Sequence, residues 1–281
     1  MDKYIIVFCE GDHDIAFLSR ILLVEGFRPY NEKVKNFISP LNNLYITALK
    51  NKRIEDTEFK FQRADIKVPY AVYEKDNKLV IFHNLGGDGN IKANSNKIKD
   101  SYLELNDELL RKTEEYDILN YTFLYFLDAD DVGVEERLTE MRGLLELDDE
   151  LKHYELSKKD DYEVACCIFY DVRCPNTHGK LENILLDLMG PENEKIFQNS
   201  EQFVIENTLP DDRQRKFLCN NIEEKSDGSK QFKKEKSIIS VAGQLQFSGS
   251  TNSVIIAHSD YIKKNDIQHN TICNNIKKMF N

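Results

Sequence analysis

The sequence has no paired-cysteine motif, no long apolar run and no surplus of positive charge. Its six cysteines (Cys9, Cys166, Cys167, Cys174, Cys219, Cys273) form no C-x-x-C pair and no Cys/His grid with zinc spacing. Disulfide scaffolds and structural zinc sites are therefore excluded. Adjacent Cys166 and Cys167 lie in an apolar run and read as small core hydrophobes with reduced thiols. With 12 Gly and 6 Pro in 281 residues, collagen and low-complexity disorder are excluded too. No apolar run approaches the roughly 20 residues a membrane span needs. The Ile5–Cys9 run is too short and too poorly flanked for a signal peptide. The expectation is a cytoplasmic protein with no membrane partner.

Lys+Arg total 38 and Asp+Glu 49, so the formal charge is 38 − 49 = −11. Residues 191–281 carry 13 basic and 12 acidic groups, leaving −12 on residues 1–190. Such acidity argues against non-specific coating of nucleic acid, which counterion release drives. It leaves room for an enzyme that meets nucleic acid through bound metal and a local basic patch.

With 41% hydrophobic residues, the chain has enough apolar material for a sizeable core. The run Tyr4–Cys9 suits a strand buried on both faces of a parallel sheet. Strands are predicted near 4–9, 70–73, 79–84, 121–127 and 162–170. Helices are predicted over 13–26, 91–116, 132–147 and 179–189. Their alternation predicts an α/β fold with a mainly parallel sheet flanked by helices. Residues 31–75 read as an insertion, with a helix near 41–51, rather than as a core layer. From 191 to 281 the pattern predicts a helical C-terminal extension packed on the core, with helices at 192–207, 211–224, 232–245 and 266–280.

Chemistry-bearing residues gather just past the predicted strand ends. Glu10, Gly11 and Asp14 follow the first strand, and Asp128, Asp130 and Asp131 follow the strand 121–127. Spacing of i, i+2 puts Asp128 and Asp130 on one side of an extended chain, where they can jointly hold a hard cation such as Mg²⁺. The plainer alternative is a turn in which Asp130 or Asp131 caps the next helix. Glu182 falls in the first turn of the helix after Gly179, a place where acids are common. Gly86-Gly87-Asp88-Gly89-Asn90 lacks the Lys-Ser/Thr of a P-loop, and neither H-E-x-x-H nor G-x-S-x-G occurs.

Taken together, Cys9-Glu10-Gly11-Asp12-His13-Asp14 and Phe126-Leu127-Asp128-Ala129-Asp130-Asp131-Val132-Gly133 resemble the Toprim domain of topoisomerases, bacterial primases and OLD-type nucleases. Asp14, Gly133, Gly86–Asn90, Gly179-x-x-Glu182 and Lys234–Gln244 look closer to the small stand-alone proteins of the OLD lineage. The resemblance spans residues 3–190, the Toprim-like domain being residues 1–190. It implies Mg²⁺ or Mn²⁺ on Asp128 and Asp130, with Glu10 as ligand or general acid/base. Asp14 and Glu182 are the candidates for a second metal, and Lys236 or Lys180 for the lysine that meets the phosphate. The implied activity is cleavage of DNA, or of RNA, in a phage-defence setting. An ATPase acting in trans is an implied partner, and a homodimer is open. The rivals are a non-catalytic Toprim scaffold, a metal-dependent phosphatase and a glycosyltransferase.

Overall fold

The computed structural model describes residues 3–50, 67–87, 91–112, 119–210, 213, 216–219, 223–226 and 232–281. They divide into two compact units, one of Met1–Leu181 with Lys264–Asn281 and one of Glu182–Lys263.

The first unit is built on a seven-stranded sheet. Four strands run parallel: β1 (Lys3–Cys9), β4 (Lys78–Asn84), β5 (Tyr121–Asp128) and β7 (Tyr162–Phe169). Three short ones pair antiparallel at the margins: β2 (Arg28–Pro29), β3 (Ala71–Lys75) and β6 (Ser157–Lys159). The spatial order is β2-β3-β4-β1-β5-β7-β6. The expected α/β class is observed, with all four long strands where the apolar runs put them.

Those runs are continuous because both faces of the sheet are covered. Alternate residues Tyr4, Ile6 and Phe8 face one core cluster with Ile81, Phe123, Tyr125 and Cys166. Three helices close that face: α2 (Leu41–Lys50), α3 (Ile91–Lys112) and α4 (Val134–Leu145), through Leu41 and Tyr45, Ile98 and Tyr102, and Leu138 and Met141. Ile5, Val7 and Cys9 point the other way, toward α1 (Asp12–Val24). There Phe17 meets the Phe169 ring at 6.2 Å. Burial pushes the Cys9 thiol up, so it stays a neutral core group.

The segment expected as an insertion joins this core. Tyr45 of α2 shares a hydrogen bond with Tyr102 of α3 (2.9 Å), which in turn meets His83 Nε2 of β4 (2.8 Å). In α2 only Leu41 and Tyr45 are fully buried, so the sequence reads as polar although the helix is a layer of the fold. Residues 51–66 of that segment lie outside the described residues, as do 88–90 of the glycine-rich run and 113–116 of the predicted third helix.

The last two helices, α9 (Lys264–His269) and α10 (Thr271–Met279), belong to the first unit. Phe280 stacks on Phe126 at 6.1 Å, and Lys78 Nζ donates to the Asn281 carbonyl at 2.7 Å. The first compact unit thus runs to residue 181, and the chain returns to it at 264.

The second unit holds α5 (Leu181–Met189) from Glu182 onward, then α6 (Glu194–Glu206), α7 (Lys234–Gly243) and α8 (Asn252–His258). Gly243 lets α7 and α8 approach closely, since a Cβ there would collide with Ile255. Where a helix over 211–224 was expected, the described residues pair as antiparallel strands β8 (Lys216–Cys219) and β9 (Glu223–Ser226).

One half-buried histidine sets an acid limit. His153 Nε2 accepts the Ile168 N–H (2.9 Å), and burial pushes its pKa down to about 4. The folded protein thus holds His153 neutral where the unfolded chain, with the usual value near 6.5, takes a proton. Its contribution is complete above pH 6.5 and falls as the pH drops toward 4, by about 2–3 kcal/mol. Urea titrations across that range should show wild type losing this increment and His153→Gln, whose amide oxygen still accepts, keeping it. Parallel acid profiles for the two proteins would overturn the assignment.

Candidate active site

In the parallel core β4-β1-β5-β7, the chain steps from β1 to β4 on one side, then crosses to β5 on the other. Helix α1 covers one face and α3 the other, so the crevice past the carboxyl ends of β1 and β5 is a topological switch point. Open α/β sheets place their ligands there.

Glu10 and Asp128 stand at that crevice. Cys9 is in register with Phe126, so Glu10 sits level with the last residues of β5. Its Oε1 accepts the Asp128 N–H at 2.8 Å, linking positions 118 residues apart. Asp128 Oδ1 accepts the Leu181 N–H at 2.8 Å. Two carboxylates are thereby fixed by backbone donors at adjacent strand ends.

Asp130 goes elsewhere. β5 ends at Asp128, and Asp130 adopts a left-handed conformation (φ 46°), so the i, i+2 rule for extended chain does not apply to this pair. Its Oδ2 pairs with Arg137 of α4 at 3.3 Å, and Arg137 also reaches Glu140 at 3.1 Å. The backbone here is stitched to the loop before α5. Asp130 N–H donates to the Gly179 carbonyl (2.7 Å), and Gly179 N–H donates back (2.8 Å). Thr177 Oγ1 accepts the Val134 N–H at 3.1 Å, serving the start of α4 in place of an aspartate. Gly133 (φ 98°) is required, because a Cβ would stand 3.0 Å from the Asn176 carbonyl oxygen.

The other candidates separate into local roles. Asp14, nearly buried, accepts the Gly11 N–H at 2.8 Å and so braces the turn after β1. Lys180 lies half-buried between Gly179 and Leu181. In the second unit, buried Glu182 pairs with Lys236 at 3.4 Å. Arg137 is the residue that sequence reasoning missed. Its signal was a cation near the start of α4, where the helix dipole favours acids such as neighbouring Glu135 and Glu136.

The donors at the crevice fit a hard cation in part. Mg²⁺ commonly takes one or two carboxylates and keeps several waters. A carboxylate has about four lone-pair sites, so one N–H bond does not exhaust it. Glu10 and Asp128 supply two carboxylates at the crevice. A cluster of three or more His, Cys, Asp or Glu able to hold a metal is absent among the described residues. Beside the crevice opens a pocket of about 360 Å³, whose lining includes Leu127, Arg137 and Met141.

No protein-family model and no curated protein matches the sequence. Among solved structures, the chain is similar in fold to a hypothetical protein from Pyrococcus horikoshii OT3. The TM-score is 0.56 at 14% identity, with each chain covered in full. That likeness concerns the fold alone. Among the described residues, no helix is long and apolar enough to cross a membrane.

Proposed function

We propose that the protein is a Toprim-type nuclease that hydrolyses phosphodiester bonds of DNA, or of RNA, with Mg²⁺ or Mn²⁺. The observation that carries this reading is the Glu10 carboxylate bound to the Asp128 N–H at the switch point between β1 and β5. A phosphodiester needs its charge offset and a water activated, and a divalent cation held there would supply both. Glu10 and Asp128 would hold it. Their bonds to backbone N–H groups set the direction of each carboxylate before substrate arrives, which lowers the reorganisation the site must undergo. Of the two lysines, Lys180 belongs to the unit that carries Glu10 and Asp128, and we assign the phosphate contact to it. Asp14 supports the turn that presents Glu10.

The five described cysteines are free thiols, which suits a reducing cytoplasm. A separate ATPase acting in trans, in a phage-defence setting, and a homodimer belong to the same proposal. The second reading is a non-catalytic scaffold, favoured by the pairing of Asp130 with Arg137 rather than with a third ligand. The deciding test incubates plasmid DNA and a structured RNA with the protein, in Mg²⁺, Mn²⁺ or EDTA. Cleavage confined to the metal-containing reactions is expected. Cleavage that persists in EDTA sinks the metal-dependent mechanism. No cleavage, with no effect of either ion on the melting temperature, leaves the scaffold.

A further inference from the structure

Leu127 lines a pocket and immediately precedes Asp128. Around it, Ile91, Met141 and Leu144 make apolar walls, while Arg137 and Glu140 supply the charged groups. The volume of about 360 Å³ lies within the range, roughly 300–1,000 Å³, of small-molecule sites.

Gly143 completes the lining, and its presence is informative. It sits inside α4, where glycine weakens a helix relative to alanine. Its backbone does not require glycine, and a Cβ would meet nothing within 4 Å. Gly143 is exposed at the rim of the lining, and a longer side chain there would extend into open space next to the pocket.

The chemistry of the lining selects the ligand. Arg137 is a donor only and matches phosphate through a planar fork. Glu140, when ionised, is an acceptor only, suited to hydroxyl or amine donors. Arg137 and Glu140 touch each other at 3.1 Å, and the apolar lining of Ile91, Met141 and Leu144 lies beside that pair. A nucleoside monophosphate carries all three features: an anion, hydroxyl donors and a flat base whose faces pack on aliphatic side chains.

We propose that this pocket binds a nucleoside monophosphate unit, with its base between Ile91, Met141 and Leu144 and its phosphate on Arg137. The proposal deepens the nuclease reading and rests on it for the ligand class. Asp130 and Glu140 hold the guanidinium until an anion arrives. Binding then draws Arg137 from Asp130 toward the phosphate.

The test is run in EDTA, so that it is separate from cleavage. Adenosine 5′-monophosphate, adenosine and inorganic phosphate are compared by thermal melt and calorimetry. The mononucleotide should raise the melting temperature and bind about tenfold or more tightly than adenosine, the increment expected of a charge-assisted contact. Arg137→Gln should bring the two ligands level. Gly143→Leu should abolish binding while melting at least as high as wild type, and Gly143→Gln serves as the second filled variant. A 5′-phosphorylated oligonucleotide that competes assigns the pocket to a strand end; one that does not assigns it to a free nucleotide. No shift with the mononucleotide, or a shift that survives both filled variants, overturns the proposal. A protein that cleaves but shows no such shift overturns the pocket alone. One that binds nucleotide and cleaves nothing overturns the nuclease reading alone.

Discussion

Replacing Asp128 by asparagine is expected to lower metal-dependent cleavage by about 10³-fold or more, the several kcal/mol that metal-ion stabilisation of the transition state supplies. The fold should hardly notice. Asparagine keeps an Oδ1 that accepts the Leu181 N–H, so the bond closing the turn survives. Stability should change by less than about 1 kcal/mol, because Arg137 already neutralises Asp130 and little repulsion remains to be relieved. Mg²⁺ or Mn²⁺ should raise the melting temperature of the wild type and leave Asp128→Asn unmoved, as linkage requires of a ligand bound only by the folded state. Alanine differs: it strips the Leu181 N–H of its acceptor and costs about 1–3 kcal/mol. Undiminished cleavage by a folded Asp128→Asn protein, or an equal metal shift in both proteins, rules out Asp128 as a ligand.

The largest loss of stability is expected from Phe8→Ala. Phe8 is fully buried in the central strand, with ring centroids 4.9 Å from Tyr125 and 6.1 Å from both Phe123 and His83. Strands on both sides are paired to β1, so the backbone cannot collapse into the space left. The cost is about 3–5 kcal/mol, from lost burial and the residual cavity. That is a large share of the roughly 5–15 kcal/mol by which proteins are stable. At roughly 2–4 °C per kcal/mol, the melting temperature should fall by about 10 °C. Phe8→Leu, which keeps most of the volume, should cost about 1.5 kcal/mol. Equal costs for the two variants would mean that the cavity is not the cause.

The long strands were legible because a strand buried on both faces must be apolar throughout, and Tyr4–Cys9 and Tyr121–Leu127 are. The carboxyl-end clustering of Glu10 and Asp128 followed from the same pattern. Short elements were not legible. β2 has two residues and β6 three, too few for any periodicity. The hairpin β8–β9 lies in a charged stretch that also suits a helix. The helix over 266–280 is two, broken at Asn270, whose side chain caps the second by accepting the Cys273 N–H. At the site, sequence spacing did not supply the Arg137 pairing of Asp130. Its direction depends on a left-handed turn pinned by Gly179, 49 residues away in the chain. Local propensity carries no trace of that contact, nor of the arginine that answers it.

The margins of the sheet bear on how the protein meets copies of itself. An open strand edge offers unpaired N–H and C=O groups to any extended chain and invites aggregation. Here one edge strand is Arg28–Pro29, exposed, charged and short of a backbone donor. The other is Ser157–Lys159, whose two lysines resist stacking like on like. Among the described residues, growth of the seven-stranded sheet by adding strands is therefore disfavoured at both of its edges.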